Sequence, residues 1–340
     1  MKKFLSKKNV EISVNVYGIK VLGSMAMGLF ASLLIGTILK TIGLKLNIPY
    51  LTETVAPIAS EMTGPAMAVA IASSLNAPSL VLFSSIIPGY IGNKLGGPVG
   101  TLIAVLIGVE IGKLVSKETP FDIILTPAVT IIIGSLIASF AGPPLGALMN
   151  GLGNIIMVAT ELKPFMMGII VSAVVGIVLT LPISSAALCI MLGLSGIAAG
   201  AATAGCCAQM IGFAFMSYKE NGINGLLAQG LGTSMLQVPN IVKNWKIWIP
   251  PTLASIVTGP IATVIFHMEN DPMGAGMGTC GLVGLINTVS TMSKSYSPFV
   301  IYGGIILDYI ILPAIISIVI YEIMYKKGLI KKGDVTLPQD

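Results

Sequence analysis

The stretch IILTPAVTIIIGSLIASF, Ile123–Phe140, holds eighteen residues without one charge, and AGPPLG follows it at 141–146. A helix of about 20 apolar residues crosses the ~30 Å hydrocarbon core of a bilayer. The run has the length of a span, and the Gly-Pro-Pro after it reads as a break. The same character extends in both directions. Ile19–Leu39 and Pro164–Leu181 contain no carboxylate, and Val99–Val109 contains no charge. Only 10% of the 340 residues are charged and 54% are hydrophobic, with mean hydropathy +0.93. A soluble domain carries about 25% charged residues, so the chain is expected to be an all-α polytopic membrane protein. The run at 19–39 is too long for a signal peptide and lacks a small-residue cleavage site, so it reads as a retained helix.

All 19 basic residues are lysines. Lys2, Lys3, Lys7 and Lys8 cluster at one end and Lys326, Lys327, Lys331 and Lys332 at the other, as cytoplasmic flanks do. No basic stripe interleaved with aromatics occurs, which argues against a nucleic-acid partner. Cys189, Cys206, Cys207 and Cys280 lie in small apolar stretches with no histidine at ligand spacing, and read as packing residues.

Landmarks recur down the chain. Pro57-Ile58-Ala59-Ser60 returns as Pro182-Ile183-Ser184-Ser185, and Gly97 and Gly100 return as Gly222 and Gly225, a shift of 125 in each case. Pro127 matches Pro251, Pro144–Met149 matches Pro272–Met277, and Gly153 matches Gly281. Pro164-Phe165 and Leu181-Pro182 match Pro298-Phe299 and Leu312-Pro313. Their collinear order points to an internal repeat. The expected organisation is a lysine-rich tail, extra helix and connector at 1–56, a first repeat at 57–181, a second at 182–325 and a cytoplasmic tail at 326–340. The first copy divides into 57–75, 78–92, 97–115, 122–141, 145–160 and 164–181. The second divides into 183–200, 203–217, 224–240, 247–267, 273–291 and 298–323. The fifth segment of each copy opens on Gly142-Pro143-Pro144-Leu145-Gly146 or Asn270-Asp271-Pro272-Met273-Gly274 and reads as re-entrant or half-helical. Such backbone is tolerated at membrane depth only where protein or a water-filled cavity covers it. Five spans remain per copy, an odd number, so the copies are expected to be inverted, with about 10–11 transmembrane helices in all. Lys243 and Lys246 place the 241–246 loop inside, and the loop holding Lys113, Lys117, Glu118 and Asp122 then falls outside. A single crossing by 19–39 would put the N-terminal lysines outside too, a parity conflict that composition leaves open.

Inverted repeats with broken helices are the build of secondary transporters, with substrate near the midplane. Half-helix ends offer free N–H groups to hydroxyls or anions, and Gly146 and Gly274 open the two candidate ends. Ionisable groups inside apolar segments are costly and point to function. Glu61, before Thr63-Gly64-Pro65, is the leading acceptor or proton carrier. The single histidine, His267, precedes Glu269, Asn270 and Asp271. Asn76, Asn270 and Thr279 complete the expected substrate-binding set, with Asn93, Gln209, Gln229, Gln237 and Asn287 as weaker neutral candidates. Asp308 lies mid-span in the last segment. No G-x-x-x-x-G-K-[ST] loop, zinc spacing or nucleophile elbow occurs. No cofactor, metal or catalytic residue is expected.

Met62-Thr63-Gly64-Pro65, the run Pro88-Gly89-Tyr90-Ile91-Gly92-Asn93-Lys94-Leu95-Gly96-Gly97-Pro98, Ala141-Gly142-Pro143-Pro144 and Asn270–Gly274 resemble the membrane IIC components of the bacterial phosphotransferase system. Within that family the chain looks most like the branch of perfringolysin-regulator-like IIC proteins, over roughly residues 15–325. The resemblance implies a homodimeric sugar permease of the bacterial inner membrane, with a transport domain moving against a dimerisation scaffold. It also implies phosphate delivery by separate soluble IIA and IIB proteins, since no phosphocysteine loop or phosphohistidine domain stands in this sequence. The family keeps a glutamate and a histidine near the sugar hydroxyl that receives phosphate. Glu61 and His267 have those residue types, without a motif that aligns them. The leading expectation is a permease for a small polar, sugar-like solute, working by alternating access. An ion-coupled carrier of an organic anion and a membrane sensor or regulator are the alternatives.

Overall fold

A computed structural model describes residues 5, 7–11, 13, 15–293 and 295–337. Lys2 and Lys3 of the N-terminal cluster, and 338–340 of the tail, lie outside the described residues. Among the described residues all regular structure is helical, apart from one isolated antiparallel bridge between Gly196 and Asn270. Among the described residues six helices are, by length and composition, long and apolar enough to cross a membrane: α1 (Val16–Leu44), α4 (Ser79–Val115), α5 (Asp122–Thr160), α8 (Gly196–Met216), α10 (Trp245–Ile265) and α13 (Pro298–Lys326). A seventh is the pair α2 (Tyr50–Glu61) and α3 (Thr63–Ser74), bent by 44°. Between the long helices lie the short α6 (Pro164–Thr180), α7 (Ser185–Met191), α9 (Tyr218–Leu227), α11 (Pro272–Ala275) and α12 (Val283–Met292). The chain forms two compact units, Met1–Leu148 and Met149–Asp340.

In the first unit α4 is a hairpin. Gly96 (φ −146°, ψ 17°) and Gly97 (φ 60°, ψ −153°) reverse the chain. The second conformation belongs essentially to glycine. Thr101 Oγ1 donates to Gly89 O at 3.1 Å, and a Cβ at Gly112 would lie 3.2 Å from Val81, 31 residues away. The arms meet through Gly92 and Gly100, whose lack of side chains permits backbone contact. The expected segments 78–92 and 97–115 are therefore two arms turned at the glycine that the repeat singles out.

The N-terminal segment is tied to the same unit. Lys8 bonds Ser116 O and pairs with Glu118, while Lys113 Nζ donates to Asn9 O at 2.6 Å and Leu75 O at 3.0 Å. Residues 8–9 and the turn after Val115 share one end of this unit. The N-terminal segment thus lies at the same end of this unit as the 116–121 turn.

Three expectations are corrected. The half-helix at 145–160 does not exist as a separate element, because α5 runs unbroken through Gly142-Pro143-Pro144. An interior proline removes its own N–H bond and crowds the carbonyl four residues back, and membrane helices tolerate this where neighbouring groups take up the freed backbone. In the second copy, the expected boundary between 200 and 203 lies inside α8, and the break falls at Leu192–Ser195 instead. The expected span 224–240 is a short return arm followed by separate turns at Ala228–Gly232, Ser234–Gln237 and Val238–Lys243. There Gln229, Gln237 and Asn240 bond one another rather than face lipid.

In the second unit α8 is the axis, buried on every side along GAATAGCCAQMIG. Gly205 meets Ser172 and Gly176 of α6, Gly212 meets Pro251 of α10 and Ser317 of α13, and Gly168 meets Gly259. Small residues let these backbones approach without a hydrophobic drive from water. All four cysteines are buried and unbridged in this packing. After α8 the chain turns at Gly222 (φ 60°, ψ −157°), almost the conformation of Gly97, and Gln229 Nε2 returns to Ser217 Oγ at 2.9 Å. Lys94 and Lys219 precede the two turns at the same spacing as the glycines. The residues after α13 are docked against the Gly222 turn and the turns that follow it. Gln237 and Asn221 donate to Val335 O at 2.9 and 2.8 Å, Asn240 donates to Thr336 O at 2.8 Å, and Ile330 and Val335 are buried.

Candidate functional site

The second copy's fifth segment is a true break. The helical stretch ending at Ile265 gives way to His267 at φ 47°, the Gly196–Asn270 bridge, the single turn α11, and then Gly278, Gly281 and Leu282 at φ 54°, 53° and 61° before α12. Such irregular backbone needs local partners, and Asn270 supplies them. Its Nδ2 lies within 3.0 Å of Thr203 Oγ1, Gly284 O and Thr288 Oγ1, and its Oδ1 accepts from Asp271 N at 2.8 Å. Asn270 is buried and its amide fully committed, so its evident work is to pin the break to α8 and α12.

Asp271 is differently placed. Its Oδ1 caps α11 by accepting from Gly274 N at 2.7 Å and also accepts from Asn287 Nδ2 at 3.1 Å, while Oδ2 takes part in neither bond. Asp271 and Asn287 are half-buried, so the pair reaches both the packed break and open space. Gly274 is buried against Asn270 and Asn287, where a Cβ would strike both. Thr279 is buried at the far end of the break, 3.5 Å from Met210 Sδ. His267 is exposed, and Glu269 beside it accepts from Tyr296 Oη at 3.1 Å. Burial and the Glu269 carboxylate both raise the Tyr296 hydroxyl above its ordinary value. The structure thus gathers Asn270, Asp271 and Gly274 around one helix break, with His267 and Thr279 flanking it.

The other three expected residues stand in the first unit, apart from one another in their bonding. Glu61 ends α2 at the Met62 bend and accepts from Tyr90 Oη at 2.6 Å. Lys94 Nζ lies 4.6 Å above the Tyr90 ring, a cation–π distance. Carboxylate, phenol and ammonium form an open polar group on one arm of the hairpin and the bend facing it. Asn76 is exposed and ends α3 in the left-handed conformation, φ 52°, which asparagine tolerates best after glycine. Gly146 sits on the exposed side of α5 with nothing within 4 Å of an added Cβ.

Tyr90, Lys94 and Asn287 join these groups through tertiary structure. Tyr90 and Lys94 lie within the Pro88–Pro98 motif, which marked the stretch without indicating Glu61 as its partner. Gln209 proves to be a core residue. Its Oε1 accepts from Thr180 and Trp248 at 3.1 and 3.0 Å, and its Nε2 donates to Thr252 at 3.2 Å.

The motifs in these two groups, including Met62–Pro65, the hairpin run and Asn270–Gly274, fall within a match that covers nearly the whole chain. The model of the family described as "Phosphotransferase system, EIIC" matches residues 19–337. The chain belongs to the phosphotransferase-system EIIC family. No curated protein and no solved structure matches it. An EIIC protein is the membrane permease component of its system, and this one is multi-pass by its own apolar helices. Membership implies a solute and separate IIA and IIB partners.

Proposed function

We propose that this EIIC protein moves a small polar, sugar-like solute across the bacterial inner membrane by alternating access, and that the helix break at 266–283 forms part of its solute site. The observation that carries this reading is Asp271. Its carboxylate is held by Gly274 N and Asn287 Nδ2, yet retains an oxygen for a ligand hydroxyl at a half-buried position. Charge-assisted bonds of this kind are the stronger ones in solute recognition. Glu61 with Tyr90 and Lys94 is the second polar group suited to a sugar, and His267 and Thr279 border the break. Asn270 and Gly274 contribute through the shape of the break, and Asn76 and Gly146, both exposed in the first unit, complete the expected set. An organic anion is the poorer fit, since Asp271 already places a carboxylate on the N–H groups of α11.

The paired turns at Gly97 and Gly222 support two inverted repeats, 57–181 and 182–325, with an N-terminal element at 1–56 and a tail at 326–340. In this reading only the second repeat carries the re-entrant segment. The perfringolysin-regulator-like branch and a homodimer are further parts of the proposal, both from the motif resemblance. Binding of a panel of hexoses and hexitols to the purified protein tests the site. Asp271→Asn and Glu61→Gln are expected to weaken the bound sugar about tenfold or more, the scale of one charged hydrogen bond. Unchanged affinity in both variants would remove the assignment.

A further inference from the structure

The last helix carries a group that the solute site does not use. Asp308 lies within Ile305–Ile311, a stretch of α13 wound as a π-helix. The residue is fully buried, and neither carboxyl oxygen has a hydrogen-bond partner. The titratable groups facing it are Cys207 of α8 and its own neighbour Tyr309. The Tyr309 hydroxyl is directed to Gly200 O at 3.2 Å instead. None of the ion pairs among the described residues includes Asp308. The surroundings are apolar, with Ala204, Met268, Met292 and Ile305 in the cluster that holds Cys207 and Tyr309.

An ionised carboxylate cannot be kept in such a place without a partner, and the group neutralises by taking a proton. No group donates to either oxygen, so the carboxyl's accepting capacity is unused in this state and available in another. π-Helical turns inside long helices frequently mark functional positions. We propose that Asp308 is a proton-binding site inside the last span, protonated in the closed arrangement seen here and ionised when the Ile305–Ile311 stretch opens to water. The step is a simple acid dissociation: the O–H bond breaks, the proton passes to water, and the carboxylate keeps the electron pair. Opening and proton release are then linked, so each shifts the other. Coupling this proton to solute movement rests on the permease reading, whereas the proton site itself needs no solute.

The test uses the purified full-length protein in lipid nanodiscs. Infrared spectra of wild type and Asp308→Asn are compared across a pH series, and alkylation of Cys207 by a maleimide is followed by mass spectrometry. Wild type is expected to show the carbonyl stretch of a protonated carboxylic acid at neutral pH, lost in Asp308→Asn. As pH rises the band declines, and the ratio of wild-type to Asp308→Asn alkylation at Cys207 climbs by up to about tenfold per pH unit, the slope of one linked proton. If Asp308→Asn does not assemble, Asp308→Glu serves, since a glutamic acid shifts the band. No protonated band assignable to position 308 would overturn the proposal. A band with a pH-independent alkylation ratio would overturn the link to opening. Neither outcome touches sugar binding by Asp271, so the two readings fail separately.

Discussion

Replacing Gly97 or Gly222 by alanine isolates the free-energy cost of one backbone conformation at two positions 125 residues apart. The φ/ψ values are 60°, −153° and 60°, −157°, and an added Cβ meets nothing within 4 Å at either site. No steric contact contributes, so the whole effect is the strain of an L-residue in a glycine-only region, about 1–3 kcal/mol. At about 1.4 kcal/mol per factor of ten, that lowers the folded-to-unfolded ratio about 5- to 150-fold. Gly146 supplies the contrast. It also has open space around it, but it lies in the regular helix α5, where alanine is favoured over glycine. Gly146→Ala is expected to stabilise by about 0.5–1 kcal/mol. Denaturant unfolding in mixed micelles, with the three variants beside wild type, reads all three values. Two losses of similar size and one gain are expected. A neutral Gly97→Ala or Gly222→Ala, or a loss at one turn only, would refute the equivalence of the turns. A loss at Gly146 as large as at the turns would refute the conformational argument itself.

Two further outcomes follow from bonds already described. Gln237→Ala removes donors to Gln229 and Val335 O and the acceptor of Asn240, and each buried group left unpaired costs about 1–3 kcal/mol. The amide of Leu337, bonded to Asn221 Oδ1, should then exchange faster in hydrogen-exchange mass spectrometry. Protection equal to wild type would mean that the tail is not held by this cluster. At the other end, the Lys8 hydrogen bond and charge hold the Glu118 carboxyl below its ordinary value of 4.5. A depressed acid adds stability above its unfolded value and loses it as pH falls through the lower folded one. The melting-temperature difference between wild type and Glu118→Gln should therefore be constant from neutral pH down to about 4.5 and shrink below it. A difference that widens toward acid would contradict the pairing.

Much of this protein was legible from residue order because the bilayer simplifies the code. Apolar runs of span length must become helices, since lipid offers no partner for a free backbone group. That reasoning located the runs that became α1, α5, α6, α8, α10 and α13. Gly97 and Gly222 stood out in residue order only as landmarks of the repeat, and the structure shows that the chain turns at both. Proline was a poorer guide. Pro143 and Pro144 read as a break but pass within α5, while Pro272 opens a real one, because the outcome depends on whether neighbours such as Asn270 and Asp271 offer the chain other bonds. Chain order has no means of pairing Glu61 with Tyr90, Asp271 with Asn287, or Gln237 with the carbonyl of Val335. Those contacts join residues 16 to 98 positions apart, and a hydrogen bond reads distance in space alone. The same holds for Asp308. Its sequence shows an acid in an apolar run, and only the packing of α13 on α8 decides that the acid is left without a partner.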